Sequence, residues 1–461
     1  MPQSTFKTNK MEDLKFNIYV KLAIITFIAL ILIASVSMVS NLAEERQNLQ
    51  TTAINDISSK WGNAQTVSGP VLSIPYYRYE KQVQEDKSVK YLKYKEYIHI
   101  LPETLDINGE VFPEAKHRNI YETVVYKSKL TIKGNFKNID VGELNINPKN
   151  ILWDKAILTM GISDLRGIEN ELLISLNDTD IMFNPGSAAP NLIYSGVNIK
   201  FPEINPEEET VYNFSLNINL KGSQQLYFVP VGKTTEIHLN SPWQNPSFNG
   251  AFLPSPRTVD KKGFTADWKV LNLNRNFPQM WTNEQYNFNN SAFGVDLLLP
   301  VDNYQKIMRS IKYAVLFIVF TFITFFFTEV LKKKFIHPVQ YILVGAALVI
   351  FYILLLSITE QLSFNTAFFI SAGATLALIS AYIRAILKST PLMLMITGIL
   401  AVLYTFIFVI IQMQDYSLLI GSIGLFLILA LIMLLSRKVD WYKINLGKNK
   451  EIDKTEKNEQ E

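Results

Sequence analysis

Apolar residues concentrate in two parts of this chain. One run occupies 16–39, and nearly everything from 311 to 436 is apolar. A polar stretch, 40–310, separates them. A run of about 20 apolar residues matches the hydrocarbon thickness of a bilayer. The pattern predicts a chain that anchors once, builds a large water-facing domain, and re-enters the membrane as a helical bundle. Six spans follow: Asn17–Val39, Tyr313–Leu331, Tyr341–Ile358, Phe364–Leu387, Leu392–Ile411 and Leu418–Ser436.

The segment after the first run, Leu42 to Ser59, spaces apolar residues among charges as a helix extending from span one would. Beyond Trp61 the period changes to two. Val71 to Tyr76 reads as alternating, as do Lys129–Gly134 and Ser215–Leu220. Shorter runs at 157–162, 172–176, 235–239, 264–270 and 293–299 are separated by Gly, Pro and Asn. Short alternating strands with turn residues between them predict a β-sandwich. Val125–Gly134 and Val211–Gly222 look alike, as two related β subdomains would require. Any two amphipathic strands share that look. The fold class is therefore a membrane protein, α + β. It has 1–15 and 437–461 as cytoplasmic ends, 16–39 as span one, 40–310 as a periplasmic β-rich domain, and 311–436 as a five-helix bundle.

Charge sets the direction. Lys and Arg in short loops are kept cytoplasmic. Lys7, Lys10 and Lys15 precede span one, and Lys332, Lys333 and Lys334 follow span two. Arg384 and Lys388 mark the turn at the end of span four, and Arg437, Lys438, Lys443, Lys448 and Lys450 follow span six. The opposite loops, 359–363 and 412–417, carry no Lys or Arg. Both termini are thus predicted to be cytoplasmic. Arg309 and Lys312 flank span two outside, where long translocated segments cross regardless of charge. Small residues Ala34, Ser35 and Ser37 would also suit a cleaved signal peptide, but the apolar run exceeds the usual signal core of about 7–15 residues. Trp441 and Tyr442 suit the interfacial belt, and the charged tail beyond predicts disorder.

Composition narrows the chemistry. A net charge of +3 gives no argument for nucleic acid. With no cysteine, disulfides, thiolate nucleophiles and cysteine metal sites are excluded. His99, His117, His238 and His337 are dispersed, no phosphate loop or nucleophile elbow appears, and no cofactor is implied. The chain reads as non-enzymatic.

The motifs Ser68-Gly69-Pro70-Val71, Gly161-Ile162-Ser163-Asp164-Leu165-Arg166-Gly167, Ser241-Pro242-Trp243 and Pro246 to Pro254 occur in order. The apolar half adds Glu329, His337-Pro338, Val344-Gly345, Glu360 and Asp440-Trp441-Tyr442. Together, over about 40–442, they resemble the CreD family of bacterial inner-membrane proteins. The resemblance implies an envelope protein linked to envelope integrity, to a two-component response and to tolerance of envelope-directed toxins. It implies no biochemical activity and no catalytic residues.

Four residues remain as candidate sites. Glu329 is the one acid inside span two, and an ionisable group in a span is a functional hypothesis by default. Its position near the cytoplasmic edge predicts a pair with Lys332 or Lys333. Glu360 lies at the outer end of span three, either solvated or paired with Arg309 or Lys312. Asp164 and Arg166 either read a ligand or fix a tight turn, with Gly167 supplying a positive φ. In span four, Gly373, Ala377, Ala381 and Ala385 recur every four residues, so they share one helix face. Small faces let membrane helices approach closely, which predicts a central span or a homo-oligomer seam.

Two functions are weighed. One is an envelope protein whose β-domain binds or senses a glycan, lipid or protein. The alternative is a transporter or permease-like subunit handling a lipid or envelope precursor. Mid-span positions are apolar apart from hydroxyls such as Thr321, Thr324, Ser371, Thr375 and Thr397. That pattern argues against ion coupling and leaves lipid handling open.

Overall fold

A computed structural model describes residues 18–437, except 84, 86–88, 138, 188–191, 207, 209, 284–285, 300–302, 333–334 and 414–415. The expectations for Lys7, Lys10, Lys15, Lys333, Lys334, the interfacial Trp441 and Tyr442 and the 438–461 tail lie outside the described residues. Contacts divide the chain into two units. One joins the first 48 residues to those from Asp302 onward, and the other is Leu49–Val301.

Helix α1 (Ile18–Trp61) is a single helix that contributes residues to each unit. It contains no Gly or Pro that would break the backbone ladder. The helical unit continues with α2 (Asn303–Lys312), α3 (Ala314–Lys332), α4 (Pro338–Thr359), α5 (Phe364–Leu387), α6 (Thr390–Gln412) and α7 (Ser417–Ser436). By length and composition α1, α3, α4, α5 and α6 are able to cross a membrane, and α7 is apolar from Leu419 to Leu434. Helix α2 was not anticipated. Its sequence is mostly polar, yet Tyr304, Ile307 and Ile311 form a buried stripe at helical spacing.

Helix α5 packs between α4 and α6, but not on its small-residue face. Gly373, Ala377, Ala381 and Ala385 are all exposed, and a Cβ added at Gly373 would meet nothing within 4 Å. The buried face carries Phe364, Phe368, Ser371, Thr375, Ile379 and Ile383. Interlocking large side chains hold these helices, so the expectation of a small-residue packing hub is corrected for contacts within this chain. Close approach occurs elsewhere, at Gly345 of α4, where a Cβ would lie 2.1 Å from Leu32 Cδ1 of α1.

The second unit is a two-sheet sandwich. Its strands begin with β1 (Gln65–Val83), β2 (Val89–Ile100), β3 (Thr104–Arg118), β4 (Tyr121–Lys137), β5 (Ile157–Ile162), β6 (Leu173–Leu176), β7 (Thr179–Met182) and β8 (Asn184–Pro185). They continue with β9 (Gly196–Lys200), β10 (Val211–Ser223), β11 (Gln225–Phe228), β12 (Thr234–Ser241), β13 (Pro246–Gly250), β14 (Arg257–Asp260), β15 (Gly263–Leu271), β16 (Met280–Thr282) and β17 (Phe293–Leu297). One sheet runs β13-β17-β11-β1-β5-β9-β8, with β2 joined to β1 and β16 to β2. The other runs β14-β15-β12-β3-β4-β10-β6-β7.

Alternation builds the second sheet. In β10, Tyr212, Phe214, Leu216, Ile218 and Leu220 are buried while the intervening polar residues face outward. Strand β1 departs from its expected pattern. It is buried continuously from Val67 to Tyr76, because β11, β5 and β2 flank it and both faces are covered. The two similar segments lie side by side as antiparallel β4 and β10 in one sheet. Phe248 and Phe252 anchor the core, with ring centroids 5.5 Å from Phe264 and 5.4 Å from Phe293 respectively.

Candidate functional site

Among the described residues, the helical unit holds an ion pair with both side chains largely buried. Lys21 of α1 is 6% exposed and pairs with Glu329 of α3. Its ammonium also donates to the Ile336 carbonyl at 2.8 Å and sits 4.1 Å from the centre of the Phe335 ring. Tyr341 of α4 donates its hydroxyl to the second Glu329 oxygen at 3.3 Å. Glu329 therefore pairs with Lys21 rather than with Lys332, and Lys333 lies outside the described residues. Lys21 is on the inward stripe of α1 with Ile25, Ile28, Leu32, Val36 and Val39, so its ammonium is carried to α3 rather than to solvent. It is the single charge in the 16–39 run and falls at the stripe's spacing, a signal the sequence did contain.

Glu360 follows the last turn of α4 and lies 3.5 Å from Arg46 of α1. Neither Arg309 nor Lys312 is its partner. The Arg46 side chain is 42% exposed, so solvent screens this pair. Deeper in the helical unit, rings of Phe317, Phe351 and Tyr404 meet at 4.4 and 4.9 Å centroid distances. The hydroxyls of Tyr352 on α4 and Ser371 on α5 are buried here without a hydrogen-bond partner. Thr375 turns its hydroxyl onto the Ser371 carbonyl at 2.9 Å.

In the sandwich unit, Asp164 and Arg166 build a clasp on the last turn of α1. Asp164 caps a 3-10 turn over Leu165–Gly167, accepting from Arg166 N at 3.1 Å. Its two oxygens also accept from Arg166 Nε at 2.9 Å and Nη2 at 2.7 Å, and from Asn63 N at 2.9 Å. Arg166 Nη1 then donates to the Ser59 carbonyl at 2.6 Å. A helix C-terminus leaves carbonyls unpaired and carries partial negative charge, so a guanidinium suits it. The Arg166 hydrogen bonds hold the Asp164 carboxyl well down, at about 2. Both groups are spent on the fold. Gly167 does not have the expected positive φ. It is small because a Cβ there would lie 2.2 Å from the Lys221 carbonyl. Trp61 completes the clasp, donating Nε1 to the Tyr126 carbonyl at 3.2 Å with Lys116 and Lys221 each 5.1 Å from its ring.

Sequence reasoning missed two polar features. His99 on β2 is 3% exposed and shares a 2.9 Å hydrogen bond with Ser73 of β1. Burial drives its pKa down to about 4, so the ring is neutral. Ser73 and His99 are both buried, which argues for a core role. The second feature is an open polar groove of about 740 Å³ on the outward side of the second sheet. Thr104, Asp106, Lys133, Asn135, Asn177, Asp178, Asn213 and Ser215 line it. Asn177 and Asp178 both have positive φ, forming the tight turn between β6 and β7. Asn177 also clamps β10, donating to the Val211 carbonyl at 3.1 Å and accepting from Asn213 N at 2.9 Å. Lys133 has no carboxylate partner among the described residues. No group of three His, Asp or Glu side chains among the described residues is placed to hold a metal.

The family profile described as "Inner membrane protein CreD" matches residues 17–442. The inner membrane protein CreD of Escherichia coli (strain K12) is 32% identical over 443 residues, covering 95% of this chain and 96% of that protein. This chain belongs to the CreD family. It is accordingly a multi-pass protein of the bacterial inner membrane. The CreD match takes in both the buried ion pair and the clasp. Two of the motifs that carried the resemblance meet in space: Ser68 of β1 is in register with Gly161 of β5, and a Cβ on Gly161 would lie 2.1 Å from Ser68 Oγ. A third, His337-Pro338, starts α4. His337 Nδ1 accepts from Val339 N at 3.3 Å, and Gln340 returns a bond to His337 N at 3.1 Å.

Proposed function

We propose that this protein is a non-enzymatic inner-membrane receptor that contributes to envelope integrity, with its β-sandwich binding a hydroxyl-rich envelope component, a glycan first of all. The polar groove is the observation that carries this reading. Its amides, hydroxyls and carboxylates offer paired donors and acceptors of the kind sugar hydroxyls use. The β-sandwich is read as periplasmic and both termini as cytoplasmic. Support comes from Lys332, Arg384 and Lys388 at the ends of α3 and α5 and from Arg437 after α7, against 359–363 and 412–417 with none. Helix α1 would carry the state of the sandwich toward the helical unit.

The test is retention of envelope glycan fractions by the full chain in lipid nanodiscs. Wild type should retain a glycan that Asp106→Ala/Lys133→Ala releases at least about tenfold more readily, as two lost polar contacts would produce. Equal retention by both proteins would remove the groove from the reading.

A lipid-handling, permease-like role is the second reading. The buried hydroxyls of Tyr352 and Ser371 favour it, since unpaired polar groups in an apolar bundle are costly. Lipid or precursor flux in reconstituted vesicles that Glu329→Gln abolishes would favour this alternative.

A further inference from the structure

Strands β1 and β2 run past the sandwich as a two-stranded ribbon, paired from Tyr77↔Lys95 to Val83↔Val89. No third strand pairs with this part among the described residues. At about 3.3 Å per residue the ribbon is about 20 Å long. Its base is fixed by Glu96, which accepts from Tyr76 at 2.5 Å, Arg78 at 2.6 Å and Asn283 at 3.0 Å.

Strand alternation sorts the ribbon into two unlike faces. One carries Arg78, Glu80, Lys90, Tyr94 and Glu96, and its charges are largely paired within the face. Arg78 reaches Glu96 and Glu80, and lies 5.0 Å from the Tyr94 ring. The other carries Lys81, Lys93 and Lys95 with Tyr77, Tyr79 and Tyr91, and ends in Val83 and Val89. None of these lysines has a carboxylate partner among the described residues. Lys93 instead sits 3.4 Å from the Tyr77 ring centre. Tyr91 is 63% exposed and Val83 is 62% exposed. The connecting turn does not cancel the charge, because 77–95 holds six basic and three acidic residues.

We propose that this face of the ribbon docks on an anionic phospholipid surface, with the lysines at the phosphates, the tyrosines at headgroup depth and the valines lowermost. Tyrosine suits the membrane interface because its ring is apolar and its hydroxyl polar. Charge complementarity selects an anionic partner. The exposed aliphatic pair at the tip selects lipid over an acidic glycan or peptide, neither of which needs it. Three lysines near an anionic surface contribute about 100-fold in affinity. This site is separate from the groove and stands whether or not the groove binds glycan.

The chain has no cysteine, so a single introduced thiol labels cleanly. Full-length Val83→Cys carrying an environment-sensitive fluorophore is placed in zwitterionic nanodiscs and titrated with vesicles. Phosphatidylglycerol vesicles should shift the label to the blue at least about tenfold more tightly than phosphatidylcholine vesicles, weakening with salt. Lys81→Ser/Lys93→Ser/Lys95→Ser should remove that preference, while a label at Gln82→Cys on the opposite face responds less. Equal response to both lipids, or no response, overturns the proposal. A response to soluble polyglutamate but not to vesicles overturns it in favour of an acidic polymer partner.

Discussion

The Lys21–Glu329 and Arg166–Asp164 pairs use similar chemistry in opposite surroundings. The first has side chains 7% and 12% exposed, held between helices, with a tyrosine hydroxyl and a carbonyl taking the remaining bonds. The second has a nearly buried carboxylate but a guanidinium 58% exposed, and much of its work is done on backbone groups. An ion pair is therefore not one kind of interaction. Where water is excluded, removing one partner strands a charge, and the loss is large even if the intact pair adds little net stability. Where water reaches one partner, the charge attraction is screened and the capping of backbone groups remains.

The comparison breaks most readily at Lys21. Lys21→Met should cost about 3–5 kcal/mol in unfolding measured in detergent micelles. Adding Glu329→Leu should restore most of that loss, since no unpaired charge is then buried. If the double variant is as unstable as the single one, packing of the lysine stem and not charge is the cause.

Acid should separate burial from charge pairing within the sandwich. His99 has a folded pKa of about 4 against 6.5 when unfolded. The unfolded chain therefore takes up its proton first as pH falls. Stability should be intact above about 6.5 and decline toward pH 4 by about 3 kcal/mol, a slope that His99→Gln abolishes. Asp164 shifts in the same direction with its folded value near 2, so its contribution is present above about pH 4 and lost only in stronger acid. Asp164→Ala at neutral pH should cost about 1–2 kcal/mol through the lost cap, less than the Lys21 change. Ala377→Leu, on the outward face of α5, should alter stability by no more than about 0.5 kcal/mol. A change in oligomer mass instead would show that a second copy covers that face.

Periodicity carried much of the architecture. The span drawn at Phe364–Leu387 coincides with α5, and the run at 157–162 with β5. Three things escaped it, each for a physical reason. Lys21 was hidden because a window average absorbs one charge among many apolar neighbours. The small residues of α5 were correctly placed on one face, but spacing says which residues share a face and not where that face points. The groove was invisible because Asp106, Lys133, Asn177 and Asn213 come from separate stretches that the sheet brings together. Glu329 and Glu360 were singled out for being charged near or within a span, yet their partners, Lys21 and Arg46, lie far away in sequence on α1.

The proposed role divides the labour: the sandwich would recognise a ligand, and the buried charges of the helical unit hold that unit together. Glycan retention by Lys21→Met/Glu329→Leu and by Asp106→Ala/Lys133→Ala, both full length in nanodiscs, tests it most directly. The account predicts wild-type retention by the first variant and loss by the second. Loss by the folded helical-unit variant, with retention by the groove variant, would contradict it.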